Sequence, residues 1–160
     1  MHHMAATRKK FIIVCLIVSV FAGIAKITRA QCITMGDQIC GKWMSEDKNL
    51  SVQVYKDGDR FKARIIWFDD SDDKSRPMDT RLDTENPDVD LRFRKILGMS
   101  VLEKLIYQPK TNSWEKGVIY DALHGRYWDS SASITPDGLL KVTGYWHFKF
   151  IGKTLKFTRI

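Results

Sequence analysis

The most constraining feature of this sequence is an alternation of apolar and polar residues from Leu139 to Ile160, which ends with an arginine on the apolar side. A period of two is typical of a β-strand that buries one face. The inward positions predicted from it are Leu140, Val142, Gly144, Trp146, Phe148 and Phe150, followed after a turn by Leu155, Phe157 and Arg159. A guanidinium on an inward face needs a partner, and the indole of Trp43 would provide one by stacking. Contact between these distant residues predicts a closed barrel.

Short strands separated by turn residues recur from Leu50 onward. Leu50–Tyr55 and Phe61–Trp67 both alternate, and the Lys56–Arg60 segment between them predicts a hairpin turn. Further strands are predicted at Gly117–Asp121, Arg126–Ile134, Leu139–Phe150 and Thr154–Arg159. Residues 101–107 fit a strand and a helix about equally well. Because no long helical periodicity is present, we predict an all-β fold, a single antiparallel barrel of about eight strands.

A long polar insertion, from Asp69 to about Ser100, interrupts this pattern. Asn86-Pro87 followed by acidic residues predicts a short helix of about two turns that ends before Gly98. The acidic run Asp69–Asp73 could in principle wrap Ca²⁺, but Lys74 occupies the position where a calcium loop needs glycine. We therefore interpret the run as a solvated loop, and we predict neither a metal site nor a cofactor.

Residues 1–30 have the pattern of a secretory signal. Arg8, Lys9 and Lys10 precede an apolar run over 11–25, and Ala30 ends a candidate cleavage site. Cleavage there would leave a lead-in at 31–40 and a barrel domain at 41–160. The alternative is an uncleaved anchor, although the run is shorter than the ~20 residues that span a bilayer. We therefore expect export to the periplasm or the extracellular space, with no stable membrane span.

Removal of residues 1–30 would change the net charge and the number of cysteines in the remaining chain. Five of the 26 basic residues lie in the first thirty and none of the 19 acidic ones do, so the remainder has 21 against 19 and a net charge of +2. This near balance argues against a nucleic-acid partner. Cys32 and Cys40 remain after signal removal, and an oxidising compartment would allow a disulfide between them. Two reduced thiols are the alternative.

Five motifs occur in order along the chain: Gly41-Lys42-Trp43, Asn86-Pro87-Asp88 with Leu91–Arg94, Trp114–Asp121, Leu140–Tyr145 and Gly152–Arg159. In these motifs the sequence resembles, over roughly Cys40–Ile160, a family of exported bacterial proteins labelled a domain of unknown function. The resemblance implies a small barrel related in architecture to lipocalins and their calycin relatives, and it implies no particular reaction or ligand. In lipocalin-like barrels a Gly-x-Trp element meets a late arginine at the closed end. These positions correspond to Gly41, Trp43 and Arg159.

Two groups of residues are candidates for ligand contacts. A carboxylate and two guanidinium groups near the predicted helix could hold an anionic group, or could fasten the insertion to the barrel wall. Aromatic and hydrogen-bonding residues around the hairpin near residue 124 could orient a ligand at the barrel mouth, or could be ordinary aromatic packing. The predicted ligand-binding residues are Trp67, Asp88, Arg92, Arg94, Trp114, Tyr120, Asp121, Tyr127 and Trp146.

A barrel of about eight strands encloses space for one small guest. We therefore predict a non-enzymatic protein that binds a small apolar or amphipathic molecule. A structural or interaction module of the cell envelope with a packed core is the alternative. A hydrolase that uses Asp121 and His124 is less favoured, because the barrel region has no cysteine nucleophile and no serine in a recognised nucleophile motif.

Overall fold

A computed structural model describes residues 34–146 and 152–160. The predicted signal, Cys32, Phe148 and Phe150 lie outside these residues. The strands are β1 (Gly41–Ser45), β2 (Leu50–Asp57), β3 (Arg60–Phe68), β4 (Ser100–Gln108), β5 (Ser113–Asp121), β6 (Arg126–Ile134), β7 (Leu140–Tyr145) and β8 (Gly152–Arg159). Each pairs antiparallel with the next, and β8 pairs with β1. The prediction of an all-β closed barrel is confirmed.

Local sequence explains most of these strands. The β2–β3 hairpin turns at Gly58, whose φ of 64° favours glycine. Residues 101–107, which fitted two secondary structures, form most of β4, because Leu102 and Leu105 are buried between β3 and β5. A register shift between β3 and β4 adds one residue to β4, so its buried positions are three apart. That spacing is why this strand resembled a helix in sequence.

The first and last strands close the barrel through Trp43 and Arg159, which are paired in the β1–β8 register. The guanidinium carbon of Arg159 lies 4.3 Å from the ring centre of Trp43. The same guanidinium donates hydrogen bonds to the backbone carbonyls of Gln38 and Cys40. A Cβ atom at Gly41 would collide with it, so the absence of a side chain at that position permits the contact.

A 3-10 helix at Met35–Ile39 covers the closed end. Ile39 is fully buried, and its carbonyl accepts a hydrogen bond of 2.9 Å from the indole of Trp43. The indole of Trp114 donates a 3.0 Å bond to the carbonyl of Gly36. Residues 35–40, expected as a lead-in, are therefore part of the barrel's closed end.

The insertion forms no helix of two turns. It contains 3-10 helices at Met78–Thr80 and Val89–Leu91, each of three residues. Asp88 rather than Asn86 caps the second one, by accepting a 3.1 Å bond from the backbone N–H of Asp90. The amide of Asn86 is used elsewhere, since it donates to Asp83 and accepts from the backbone of Asp88. These contacts hold the segment in a turn rather than a longer helix.

The acidic run is organised by an arginine. The guanidinium of Arg81 donates to the carboxylate of Asp72 at 2.7 Å and to the carbonyls of Asp70 and Asp73 at 3.0 and 3.3 Å. The hydrogen bond from Arg81 lowers the pKa of Asp72. The guanidinium of Arg81 is thus a cation of the protein itself, and it binds oxygen atoms of the run that a metal ion would need as ligands. The described residues contain no cluster of three or more His, Cys, Asp or Glu side chains that could hold a metal ion.

Candidate functional site

A cavity of about 830 Å³ lies inside the barrel and opens to solvent. Its wall is mostly aliphatic, with residues from β2 to β8 and from the turn between β5 and β6. The residues that line it are Leu50, Val52, Val54, Ala63, Ile65, Val101, Leu102, Ile119, Tyr120, Asp121, Ala122, Leu123, His124, Trp128, Leu140, Val142, Gly144, Gly152, Lys153, Leu155 and Phe157. This volume falls in the range of ligand pockets, roughly 300–1,000 Å³.

The cavity lies toward one end of the barrel because packing fills the other. Trp43, Phe61, Leu105 and Trp114 are buried in one cluster at the closed end, and the rings of Phe61 and Trp114 meet edge to face at 6.4 Å. Such close packing leaves no room for a guest at that end. The cavity is bounded at the other end by the β5–β6 turn, Ala122–His124.

Polar groups are found at the edge of this cavity. Nδ1 of His124 lies 2.8 Å from Oδ2 of Asp121, while Oδ1 of Asp121 accepts a 3.1 Å bond from the backbone N–H of Leu123. Lys153, at the start of β8, also borders the space. The site therefore combines an apolar interior with three polar side chains at the rim, which suits a molecule with an apolar body and a polar end.

Asp121 and His124 do converge, as the hydrolase hypothesis requires. Their pairing also stabilises the β5–β6 turn, and His124 is 60 % exposed. Among the described residues that line the cavity there is no serine, threonine or cysteine. Within that set the pair therefore has no adjacent hydroxyl or thiol nucleophile from serine, threonine or cysteine.

The structure places the predicted ligand-binding residues in several locations. Asp121 and Tyr120 border the cavity, whereas Trp114 lies in the packed closed end. The others do not line it: Trp67, Asp88, Arg92, Arg94, Tyr127 and Trp146. Trp146 is 60 % exposed although its position in the alternation pointed inward, and its ring contacts that of Trp128 at 5.9 Å.

The two arginines of the insertion have separate partners. Arg92 donates from Nε to the carbonyl of Asn86 at 2.8 Å, while the carboxylate of Asp88 accepts from the backbone N–H of Asp90. Arg94 donates instead to the carboxylate of Asp83 at 2.9 Å. Both contacts lie within the insertion, and the contact with the barrel wall is made at Tyr120 of β5, which donates to Asp83 and lies 5.8 Å from the guanidinium of Arg94.

Asp83 is the centre of this attachment and was not identified from the sequence. Its carboxylate is fully buried and accepts hydrogen bonds from Tyr120 at 2.6 Å, Asn86 at 2.6 Å and Arg94 at 2.9 Å. Burial raises the pKa of Asp83, but the three hydrogen bonds outweigh it and the pKa is lowered. Burial and the bond to Asp83 together raise the pKa of Tyr120. A lone aspartate in a polar loop carries no sequence signal of such a role.

Most of the aliphatic residues that line the cavity were also not predicted from the sequence as ligand contacts. Ile119, Val101 and Leu155 were assigned to the fold alone, because an apolar residue that lines a cavity has the same pattern as one that fills a core. The one available signal was small residues on inward positions, such as Ala63 and Gly144, which leave space in a barrel interior.

Comparison with known proteins identifies the family. A protein-family profile described as "Uncharacterized protein conserved in bacteria (DUF2147)" matches residues 41–159. The chain belongs to this family. The DUF2147 match begins at the glycine that accommodates Arg159 and ends at that arginine, so it covers the whole closed barrel.

Among solved structures, this DUF2147 chain is similar to protein HP1028 from Helicobacter pylori, described as belonging to the lipocalin family. The two share 23% sequence identity with a TM-score of 0.64, over 76% of this chain and 82% of the other. This likeness shows a common lipocalin-like fold. No curated protein matches the sequence.

Two further predictions concern the cysteines and membrane spans. Cys40 is half-buried and burial raises the pKa of its thiol, while its predicted partner Cys32 lies outside the described residues. The disulfide stays a prediction. In the ranges 34–146 and 152–160, no helix has the length and hydrophobicity needed to cross a bilayer.

Proposed function

We propose that this protein is a non-enzymatic, exported barrel that binds one small, partly apolar molecule in its interior. The observation that carries the proposal is the apolar cavity of about 830 Å³ beside a packed closed end. The lipocalin-like architecture supports it, because barrels of this size commonly hold a single guest. Export rests on the signal pattern in residues 1–30.

The polar side chains at the rim of the cavity indicate the chemical character of the proposed ligand. The interior wall offers almost no hydrogen-bonding groups, whereas Asp121, His124 and Lys153 offer both donors and acceptors at the edge. A molecule whose apolar part lies inside and whose polar part stays at the rim satisfies both regions. The alternative function, a structural module with a packed core, does not account for an interior space of this size.

The test is to fill the cavity. Val142 lies on an inward position of β7 and borders the cavity, whereas Lys141 precedes it on the outward face. N-phenyl-1-naphthylamine, a neutral apolar fluorophore, should bind the wild-type protein saturably at one site. We expect Val142→Trp to weaken this binding about tenfold or more, because the indole occupies the space, and Lys141→Trp to leave it unchanged.

Equal affinities for the wild type and Val142→Trp would overturn the proposal, and so would equal losses in the two variants. Native mass spectrometry of protein purified from its own host provides a second test. A co-purifying small molecule should be present in the wild type and absent from Val142→Trp. Circular dichroism would establish that both variants retain the barrel.

A further inference from the structure

Four large apolar side chains are exposed around the open end of the barrel, opposite the packed closed end. They are Phe93, which is 80 % exposed, Leu123 at 78 %, Val89 at 61 % and Trp146 at 60 %. We call these four side chains the apolar tips. They lie on three segments that adjoin the open end, namely the insertion, the β5–β6 turn and the residue after β7. Exposed apolar groups gathered around one site mark a surface that contacts another molecule.

Two of the tips continue the apolar surface of the interior cavity. Leu123 itself lines the cavity. The ring of Trp146 lies 5.9 Å from that of Trp128, which also lines the cavity. The apolar interior therefore extends outward onto the exposed surface at the cavity mouth.

The tips of the insertion lie beside the same mouth. Phe93 precedes Arg94, whose guanidinium lies 5.8 Å from the ring centre of Tyr120 at the cavity wall. The backbone carbonyl of Glu85 lies directly against Gly125, at the end of the β5–β6 turn. The insertion and the turn thus present their tips at one end of the molecule.

The charges near the tips balance. Residues 83–95, residues 121–126 and Lys153 at the cavity edge together have five acidic and five basic side chains. These are Asp83, Glu85, Asp88, Asp90 and Asp121, against Arg92, Arg94, Lys95, Arg126 and Lys153. Such a surface has no strong attraction for a polyanion or a polycation. It suits a partner of balanced charge that offers apolar contact, as the surface of a zwitterionic phospholipid bilayer does.

The form of the surface also favours a bilayer over a protein partner. A protein interface has a continuous packed core, whereas the tips are single side chains on three segments, with Asp121, His124 and Lys153 at the cavity edge near them. Tryptophan, phenylalanine and leucine are typical side chains at a membrane interface. On a bilayer, the tips would reach the acyl chains while the polar groups stay among the headgroups.

We propose that the open end docks on the surface of a zwitterionic lipid bilayer through the apolar tips, with the cavity mouth facing the lipids. This inference deepens the proposed function and rests on it in one step, because a partly apolar ligand is itself concentrated in bilayers. A ligand could then pass between bilayer and cavity without crossing water.

Flotation with phosphatidylcholine vesicles tests the proposal on the protein in the form isolated from its host. The wild type should float with the vesicles equally at low and high ionic strength, since the attraction is apolar. Phe93→Ser and Leu123→Ser should each weaken vesicle binding about tenfold, because each removes an apolar contact. Met35→Ser and Ile160→Ser should have no effect. They are matched controls, 59 % and 62 % exposed at the closed end.

Fluorescence provides a local test at Trp146. Brominated phosphatidylcholine should quench the tryptophan fluorescence of the wild type, since bromine quenches an indole that it contacts. Trp146→Leu should float like the wild type but be quenched less, because leucine keeps the apolar contact and removes the fluorophore at the tip. Equal quenching of the two proteins would contradict the docking.

Three flotation results would overturn the proposal. They are no flotation, equal flotation of the tip variants and the closed-end controls, and flotation with anionic vesicles only. A dimer that Phe93→Ser dissociates in analytical ultracentrifugation would instead identify the tips as an interface between copies.

N-phenyl-1-naphthylamine separates this proposal from the proposed function. Without vesicles, Phe93→Ser should bind the fluorophore like the wild type, because Phe93 does not line the cavity. Normal binding of the fluorophore without flotation would overturn the docking alone. Flotation without binding of the fluorophore would overturn the cavity function and leave the docking supported.

Discussion

At the scale of single residues, Arg159 shows how a charge can be accommodated beside a core. Its charge is satisfied by the face of Trp43 and by two backbone carbonyls, those of Gln38 and Cys40. These carbonyls belong to the last turn of the 3-10 helix and to the residue that follows it. One side chain therefore joins β1, β8 and the N-terminal helix.

Arg159→Ala should lower the free energy of unfolding by about 2–4 kcal/mol, because it removes a cation–π contact and two charge-assisted hydrogen bonds. Arg159→Lys should lose less, since an ammonium keeps the charge but lacks the planar fork. Urea unfolding followed by tryptophan fluorescence measures both. The exposed Lys42→Ala, on the same end of the barrel, is the control and should change little. An alanine effect no larger than that of the control would contradict the role assigned to Arg159.

Asp83 gives the molecule an acid-sensitive contact. Because hydrogen bonds hold the folded-state pKa of Asp83 below the ordinary value of 3.8, its contribution to stability is present above that pH and is lost as the pH falls through the folded-state pKa. Asp83→Asn should therefore destabilise the protein at pH 7 by about 1–3 kcal/mol. It should also flatten the loss of stability between about pH 5 and 2.

Urea midpoints measured across that pH range provide the test, with the exposed Asp90→Asn as control. The wild type and the control should lose stability in parallel as the pH falls, and Asp83→Asn should converge on them at the acid end. A constant gap between Asp83→Asn and the wild type at every pH would show that the charge of Asp83 plays no part.

At the scale of elements, the insertion is bound closely to the barrel. Asp83 reaches Tyr120 on β5, and the turn after β5 approaches the insertion at Gly125. A Cβ atom at Gly125 would overlap the backbone carbonyl oxygen of Glu85, which cannot rotate away. The insertion thus contacts the hairpin that carries the cavity rim.

Gly125→Ala tests this contact against a matched control. Gly125 and Gly58 have nearly the same φ, 63° and 64°, but a Cβ atom at Gly58 would meet nothing within 4 Å. Gly58→Ala should cost about 1 kcal/mol, the strain of a left-handed alanine. Gly125→Ala should cost at least about 1 kcal/mol more, because the insertion must move. Equal urea-unfolding energies in the two variants would mean that the insertion does not rest on this turn.

At the scale of the whole molecule, the barrel has a packed end and a hollow end. Tight packing at the closed end resists opening, whereas the wall of a cavity lacks contacts on one side. Regions with few buried contacts open more readily. We therefore expect the proposed ligand to enter at the hollow end.

Hydrogen exchange should report this asymmetry. The amides of Leu105 and Trp114 should exchange slowest, and those of Leu123 and His124 at the rim should exchange fastest. Adding N-phenyl-1-naphthylamine should slow exchange at Ile119 and Val142 but not at Trp114. Uniform protection along the strands, unchanged by the probe, would argue against a hollow end.

Local sequence patterns were sufficient to determine the barrel. Alternation along β2, β3, β6 and β7 specifies strands, since a period of two exposes one face and buries the other. Arg159, at the end of β8, also indicated where the sheet closes. The helix in the insertion was overestimated because Asn86-Pro87 resembles a helix start, and only the buried carboxylate of Asp83 diverts Asn86 from that role.

The sequence by itself determined that the chain is all-β, closes upon itself and buries an arginine-capped tryptophan, because these follow from periodicity and from the cost of an unpaired charge. Only the tertiary structure decided that the interior is hollow, that Trp146 is exposed, and that Asp83 fastens the insertion. The physical reason is that side-chain volume and long-range hydrogen bonds depend on which strands face each other across the barrel. An inward Val142 has the same local pattern whether it meets a neighbour or a cavity.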